Sequence, residues 1–240
     1  MCLTRLADEF RLKHERFGLK VTPLFVAVTA LFVTALLTAN IIAVKLVGIF
    51  GLVLPAAVII FPLSYIFGDV LTEVYGYAQA RRVIWLGFAC NLLMVGAFYL
   101  AQVLPAPTFW DGQAAFERIL GYTPRLLGAS FVAYLIGEFA NSFVLAKLKI
   151  ATHGRWLWTR TIGSTVVGQA LDSTVFITLA FAGTPGMDLP TTIVAQWAFK
   201  SAYETIATPL TYAIVGFLKR KEGIDTFDYN TNFSPVTLAS

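Results

Sequence analysis

Long apolar runs recur along the chain, separated by short stretches that carry Pro, Gly, Lys or Arg. A bilayer crossing needs about 20 apolar residues. On that measure the pattern predicts six helical spans, at 24–44, 50–69, 83–104, 125–147, 161–183 and 190–218. The breaks fall at Pro105 and Pro107, at Gly121 and Pro124, and at Pro185 and Gly186, residues that punctuate helices. Pro62 and Pro209 lie inside predicted spans, where a kink or a locally unwound turn is tolerated if it lines a polar cavity. Residues 1–22 differ in kind. Leu3, Leu6, Phe10 and Phe17 fall near one helical face among Arg5, Arg11, Lys13, Arg16 and Lys20. An amphipathic segment lying on the inner membrane surface fits this pattern, and so does a solvated tail. The expected division is therefore an N-terminal segment 1–22, a transmembrane domain 23–218 and a polar tail 219–240.

Composition fixes the class. The 240 residues are 57% hydrophobic and only 13% charged, with a mean hydropathy of +0.71. Soluble domains carry about 25% charged residues. The expected fold is all-α and polytopic, with no room for a separate soluble catalytic domain. The net charge of +4 follows from topology. One side of the predicted membrane receives the N-terminal cluster, Arg81 and Arg82, Lys147, Lys149, Arg155, Arg160, and Lys219 to Lys221. The other receives only Lys45, Arg118 and Arg125. Cytoplasmic loops are the basic ones, so both termini are expected in the cytoplasm and nucleic acid is not an expected partner. Phe109, Trp110 and Tyr122 in the longest outer loop suit an interfacial belt. Cys2 and Cys90 are expected as unpaired thiols, and the first apolar span shows no cleavage pattern of a signal peptide.

The chemistry concentrates where it is most costly. In the stretch 163–183, Gln169 and Asp172 share a helical face with Thr165 and Phe176. A carboxylate at the centre of a span costs roughly 2.5–3.5 kcal/mol and marks a solute or ion path. At about 1.5 Å rise per residue, Glu138, Asp172 and Glu204 on three different spans reach nearly one depth, close to the midplane. Tyr134, Glu138 and Asn141 are spaced i, i+4, i+7, and Trp197, Lys200 and Glu204 are spaced i, i+3, i+7. Lys200 and Glu204 could neutralise each other as a structural pair. One lysine cannot neutralise three carboxylates, however, so at least one acid is protonated or faces water or a polar ligand, and a polar cavity is expected. Carboxylates, amides and aromatic faces together suit a flat, nitrogen-rich heterocycle better than a sugar or a bare ion. Asp69 and Glu73, near Arg81 and Arg82, form either an inner gate network or an interfacial ion-pair belt. Asn40 and Lys45 either belong to an outer gate or mark the point where a lysine reaches the headgroups. An enzyme is not expected, nor a metal or other cofactor. His14 and His153, the only histidines, lie outside the spans, and neither H-E-x-x-H nor G-x-S-x-G occurs. A serine or aspartate mechanism stays open.

Six segments in order then carry a resemblance: NIIAVKLV (40–47), GDVLTEVYGYAQARRVIW (68–85), GEFANSFVLAKLK (137–149), STVVGQALDSTVF (164–176), KSAYETIATPLTY (200–212) and GIDTFDYNTNF (223–233). They resemble the queuosine-precursor transporters, a vitamin-uptake-transporter-like family. The resemblance implies a bacterial inner-membrane importer of 7-deazaguanines such as preQ0 and preQ1. It also implies a six-helix fold related to the membrane substrate-binding subunits of vitamin uptake systems. Carried onto this chain, it makes Glu138, Asn141, Gln169, Asp172, Lys200 and Glu204 the substrate-binding candidates. Tyr134, Phe176 or Trp197 would supply a stacking face. Asp69, Glu73 and Arg82 match the family's cytoplasmic motif, and the tail match implies packing on the cytoplasmic face. A homodimer stays open. So does a substrate-capture subunit driven by a separate ATPase, since the chain lacks a G-x-x-x-x-G-K-[ST] loop.

Overall fold

A computed structural model describes residues 22–49, 52–121, 124–183 and 188–236. The N-terminal segment expected over 1–22, apart from Thr22, lies outside the described residues, as do Tyr122, Pro185 and Gly186. The chain is mostly helical. Helices α1 (Pro23–Ile42), α2 (Phe61–Val70), α3 (Tyr77–Val103), α4 (Gln113–Leu120), α5 (Pro124–Ala151), α6 (Leu157–Phe181) and α7 (Leu189–Glu222) follow in order. Among the described residues, four stretches are long and apolar enough to cross a membrane: α1, α3, the stretch Gln113–Ala151 that ends in α5, and α6. At 34 residues α7 has the length, but Lys200, Glu204 and the basic end Lys219 to Lys221 dilute its apolar character.

The region of the second expected span, 50–69, folds differently. Strands β1 (Leu46–Ile49) and β2 (Leu52–Pro55) pair antiparallel, with Leu46 opposite Pro55 and Ile49 opposite Leu52. A 3₁₀ turn, Ala56–Ile59, leads into the short α2. The cause lies in the local sequence. Val and Ile favour extended backbone, and Pro55 ends the ladder because it has no N–H to donate. Pro62 therefore does not kink a span. It occupies the first turn of α2, where a missing N–H is harmless. Pro209, by contrast, does sit inside α7.

From α2 the chain runs without a break into a π-helical turn, Leu71–Tyr75. Such turns are rare and re-aim side chains. Here the turn buries Glu73 completely and ends at Gly76, whose φ of +85° favours glycine. A side chain at Gly76 would also sit 2.7 Å from Thr226 Cγ2.

Helices α5 and α6 approach each other closely through two glycines. A Cβ at Gly137 would stand 2.8 Å from Asp172 Cβ, and one at Gly168 would stand 2.8 Å from Asn141 Cβ. Small residues allow this contact between membrane helices, and here it seats Asp172 against Gly137 and Asn141 against Gly168. Overpacking costs about 1–3 kcal/mol. Gly168→Val is therefore expected to lower the thermal-unfolding midpoint in detergent by several degrees, and an unchanged midpoint would contradict the close contact.

Residues 223–236 pack across the basic end of the bundle. Asp228 accepts the Tyr77 amide at 3.0 and 3.2 Å, capping α3. Arg81 donates to the carbonyls of Asn232 and Ser234, each at 2.7 Å. Trp85 Nε1 donates to Pro235 O at 2.8 Å, and the Tyr77 and Phe233 rings lie 5.0 Å apart. Losing an N-cap costs about 0.5–2 kcal/mol. Asp228→Ala is expected to destabilise the full chain by about that amount in thermal melts, with Asp228→Asn recovering most of the loss.

Candidate functional site

Helices α1, α2, α3, α5, α6 and α7 surround a cavity of about 180 Å³, counted as the space open to the centres of water molecules. That is more than ten times the roughly 10–15 Å³ a single water needs, so a small solute fits. Glu138 enters from α5, Gln169 and Asp172 from α6, and Lys200 and Glu204 from α7. Tyr134 and Phe176 also line the cavity, and Asn40 lies on its wall, donating to Asn91 Oδ1 at 3.1 Å. The Tyr134 hydroxyl is already engaged, donating to Ile84 O at 3.1 Å. Its ring, not its oxygen, is what it offers the cavity.

Asp172 and Lys200 form an ion pair at 2.6 Å. Lys200 thus reaches across to α6, while the alternative i, i+4 pairing with Glu204 is absent from the ion pairs of the described residues. That choice leaves Glu138 and Glu204 facing the cavity without a basic partner. Four lining residues also hold oxygens that have no hydrogen-bond partner within the described protein: Glu138 Oε2, Gln169 Oε1, Gln196 Oε1 and Glu204 Oε1. Glu138 and Gln169 are 1% exposed and Glu204 is 4% exposed. Every one of these atoms is an acceptor. Leaving a buried acceptor unpaired costs about 1–3 kcal/mol, and such groups are few in native structures. The cavity wall is built to receive hydrogen-bond donors.

Three expected site residues lie elsewhere. Trp197 is not among the lining residues. Its Nε1 donates to Val166 O at 3.0 Å on the outer side, and Tyr65, Phe199 and Tyr203 supply the aromatic faces instead. Asn141 lies behind the wall, fully buried, donating to Asp69 Oδ1 at 2.7 Å. Lys45 is exposed just before β1. The residues missed on α7 had a signal, because Gln196, Lys200 and Tyr203 are spaced i, i+4, i+7. Tyr65 likewise stands four residues before Asp69.

Asp69 and Glu73, expected to act together, are separated by the π-helical turn. Asp69 turns inward to Asn141, whereas Glu73 anchors an ion cluster at the basic end. Arg160 grips Glu73 with two bonds, at 2.7 and 2.8 Å. Lys219 bonds it at 2.6 Å, and Lys149 lies 3.6 Å away. Lys149 and Lys219 also hold Asp225 of the tail at 2.6 and 2.9 Å. Burial alone would raise the Glu73 pKa, but the Arg160 bonds and the two lysines outweigh it and hold the carboxyl below its usual range. Asp225 shows the same balance, with burial opposed by Lys149 and Lys219, and its pKa is also lowered. Arg82 stands outside this cluster, donating to Gln79 within α3 at 3.3 Å. Arg81, as described, holds the tail.

The sequence matches known proteins across this same region. Residues 55–214 match the family described as "Putative vitamin uptake transporter". A protein of Bacillus subtilis (strain 168), named "Probable queuosine precursor transporter", is 33% identical over 182 residues, covering 75% of this chain and 79% of the relative. The "Queuosine precursor transporter" of Escherichia coli (strain K12) is 27% identical over 128 residues, 52% of this chain and 54% of the relative. A Haemophilus influenzae protein named "Probable queuosine precursor transporter" is 25% identical over 121 residues, 50% of this chain and 49% of the relative. The match thus spans about half the length of the last two. No solved structure matches the chain. With two thirds of its length inside one family pattern and a relative 33% identical across 75% of this chain and 79% of its own, this protein belongs to the queuosine precursor transporter family.

Proposed function

We propose that this chain imports 7-deazaguanine precursors of queuosine, such as preQ0 and preQ1, across the bacterial inner membrane, and that the central cavity is their site. The observation that carries the proposal is the set of unpartnered acceptors converging from α5, α6 and α7. A 7-deazaguanine presents the complement: a ring N–H beside an exocyclic amine, and a pyrrole N–H on the opposite edge. Glu138 accepts the paired donors of the guanine edge, and Gln169 Oε1 accepts the pyrrole N–H. Tyr65, Phe199 or Tyr203 stacks on the ring. The Asp172–Lys200 pair fixes the separation of α6 and α7 and closes one wall.

In this proposal α2, with the hairpin and 3₁₀ turn that lead into it, and α7 complete six membrane-crossing elements. The basic end faces the cytoplasm, which sets the Glu73 cluster and the packed tail on the inner side. The substrate enters from outside and leaves past that end, with Pro209 giving α7 a point of bending.

The test is uptake of labelled preQ0 and preQ1 by cells that cannot make either and lack their own importer. Expression of this chain should restore labelled queuosine in tRNA, and the purified chain alone should load liposomes. Membrane-localised protein with no uptake of either compound would refute the proposal. Uptake in cells but none in liposomes would move the function to a capture subunit with an ATP-driven partner.

A further inference from the structure

We propose that the cavity takes up a proton together with an uncharged solute, and that Glu204 of α7 carries it. The proposal rests on the cavity being a 7-deazaguanine site and adds what travels with that solute. Among the described residues, three acids and one base line the cavity: Glu138 from α5, Asp172 from α6, and Glu204 and Lys200 from α7. Lys200 is held by Asp172 at 2.6 Å. Glu138 and Glu204 enter no ion pair of the described residues, and they are 1% and 4% exposed. The other titratable groups near Glu204 supply no countercharge. Asp69 of α2, behind the wall, is itself an acid and accepts from Asn141. Tyr65 of α2, Tyr134 of α5 and Tyr203 of α7, also on the cavity wall, are neutral phenols. Arg160, Lys149 and Lys219 are gathered on Glu73 and Asp225 at the basic end. Gln169 Oε1, buried on α6 and without a partner in the described protein, independently marks the cavity as a site for a donor-bearing solute.

Before the solute enters, a polar cavity of this size holds water, which solvates both unpaired carboxylates. A bound preQ0 displaces that water and brings no charge of its own. Its paired donors meet the charge of Glu138, and nothing in it meets a second carboxylate. An uncompensated carboxylate in a dry interior is costly, and such a group neutralises by taking a proton. Loading therefore adds one proton to a carboxylate oxygen of Glu204, whose Oε1 has no partner in the described protein. No bond of the solute forms or breaks.

Glu204 also stands on the helix best suited to move it. Pro209, farther along α7, lacks the backbone N–H that would bond the carbonyl four residues back, which gives the helix a point of bending. Solute and proton leave together on the inner side, water refills the cavity, and the empty protein returns with Glu204 ionised. One positive charge then crosses inward with each uncharged solute.

Titration calorimetry of preQ0 into the purified full chain, run in two buffers of different ionisation heat, counts the protons bound with each solute. Proton uptake should rise toward about one per solute between pH 6 and 8, while affinity falls, approaching about tenfold per pH unit where uptake is complete. Glu204→Gln keeps a neutral side chain with a donor and an acceptor, so it should still bind preQ0, with no proton uptake and an affinity flat in pH. Glu138→Gln should weaken binding, and the binding that remains should keep its pH dependence. In liposomes with an acid exterior, the wild-type chain should concentrate preQ0 inside by up to about tenfold per pH unit of gradient, whereas Glu204→Gln should only equalise it. Wild-type binding without proton uptake at pH 8, or wild-type liposomes that fill only to the outside concentration, would each overturn the coupling while leaving the transport proposal standing. Proton uptake retained in Glu204→Gln, or binding lost in that variant when folded, would overturn Glu204 as the carrier. A folded wild-type chain that neither binds nor admits preQ0 and preQ1 would refute the transport proposal, and the coupling with it. The wild-type measurements need no variant, so misfolding of a variant does not shield the proposal.

Discussion

Replacing Glu138 with glutamine is expected to abolish measurable uptake of preQ0 and preQ1 while leaving the protein in the membrane. The side chain is 1% exposed, lines the cavity, and carries an oxygen with no partner inside the described protein. It lies in no ion pair of the described residues, so the substitution strands no base. Its effect should therefore fall on the ligand and not on folding. A hydrogen bond to a charged group is worth about 1.5–3 kcal/mol, roughly 10- to 150-fold in affinity, and in the proposed pose the paired donors of the guanine edge would place two such bonds on this one carboxylate. Asp172→Asn should also stop uptake, but by another route: it strands Lys200, now 2.6 Å from the carboxylate. The two variants are distinguished by thermal melts, in which Glu138→Gln should stay near wild type and Asp172→Asn should fall. Normal uptake in Glu138→Gln would remove this residue from the site.

Glu73→Ala is expected to produce the largest loss of stability of any single change at the basic end. Removing one member of a buried pair costs about 3–5 kcal/mol, because the remaining charge is left uncompensated. Here one carboxylate, fully buried, faces Arg160, Lys149 and Lys219. Asp225 is the other acid within reach, and its side chain is 46% exposed. The pH dependence has a definite sign. The folded-state pKa of Glu73 is lowered, so its stabilising contribution is present above the unfolded value of about 4.3 and is lost as pH falls through the lower folded value. Melts of wild type and Glu73→Ala should therefore differ most near neutral pH and converge on acidification below about pH 4. A constant gap across that range, or no gap at pH 7, would contradict the cluster's role.

The sequence was most legible where one physical rule acts alone. Uninterrupted apolar runs give α1, α3, α5 and α6 directly. The hairpin and short α2 were hidden inside an equally apolar run, since hydrophobicity without a period does not separate strand from helix. Polar residues in spans were legible as exceptions to lipid solubility, and Glu138, Gln169, Asp172 and Glu204 were found that way. Which neighbours share the cavity depends on helix rotation, and that is set by packing. The face of α7 that carries Gln196, Lys200 and Tyr203 turns inward, and Trp197 is left against α6. Charge pairing at long range was not legible at all. Glu73 and Arg160 stand 87 positions apart, and nothing local distinguishes Arg160 from Arg82 as the partner.

A structure of the full chain with a bound 7-deazaguanine tests the central claim most directly. The account predicts the ring inside the α5–α6–α7 cavity, with Glu138 on the guanine edge, Gln169 on the pyrrole N–H and an aromatic face from Tyr65, Phe199 or Tyr203. A ligand seated elsewhere on the chain, with Glu138 and Gln169 bonded only to protein, would contradict it.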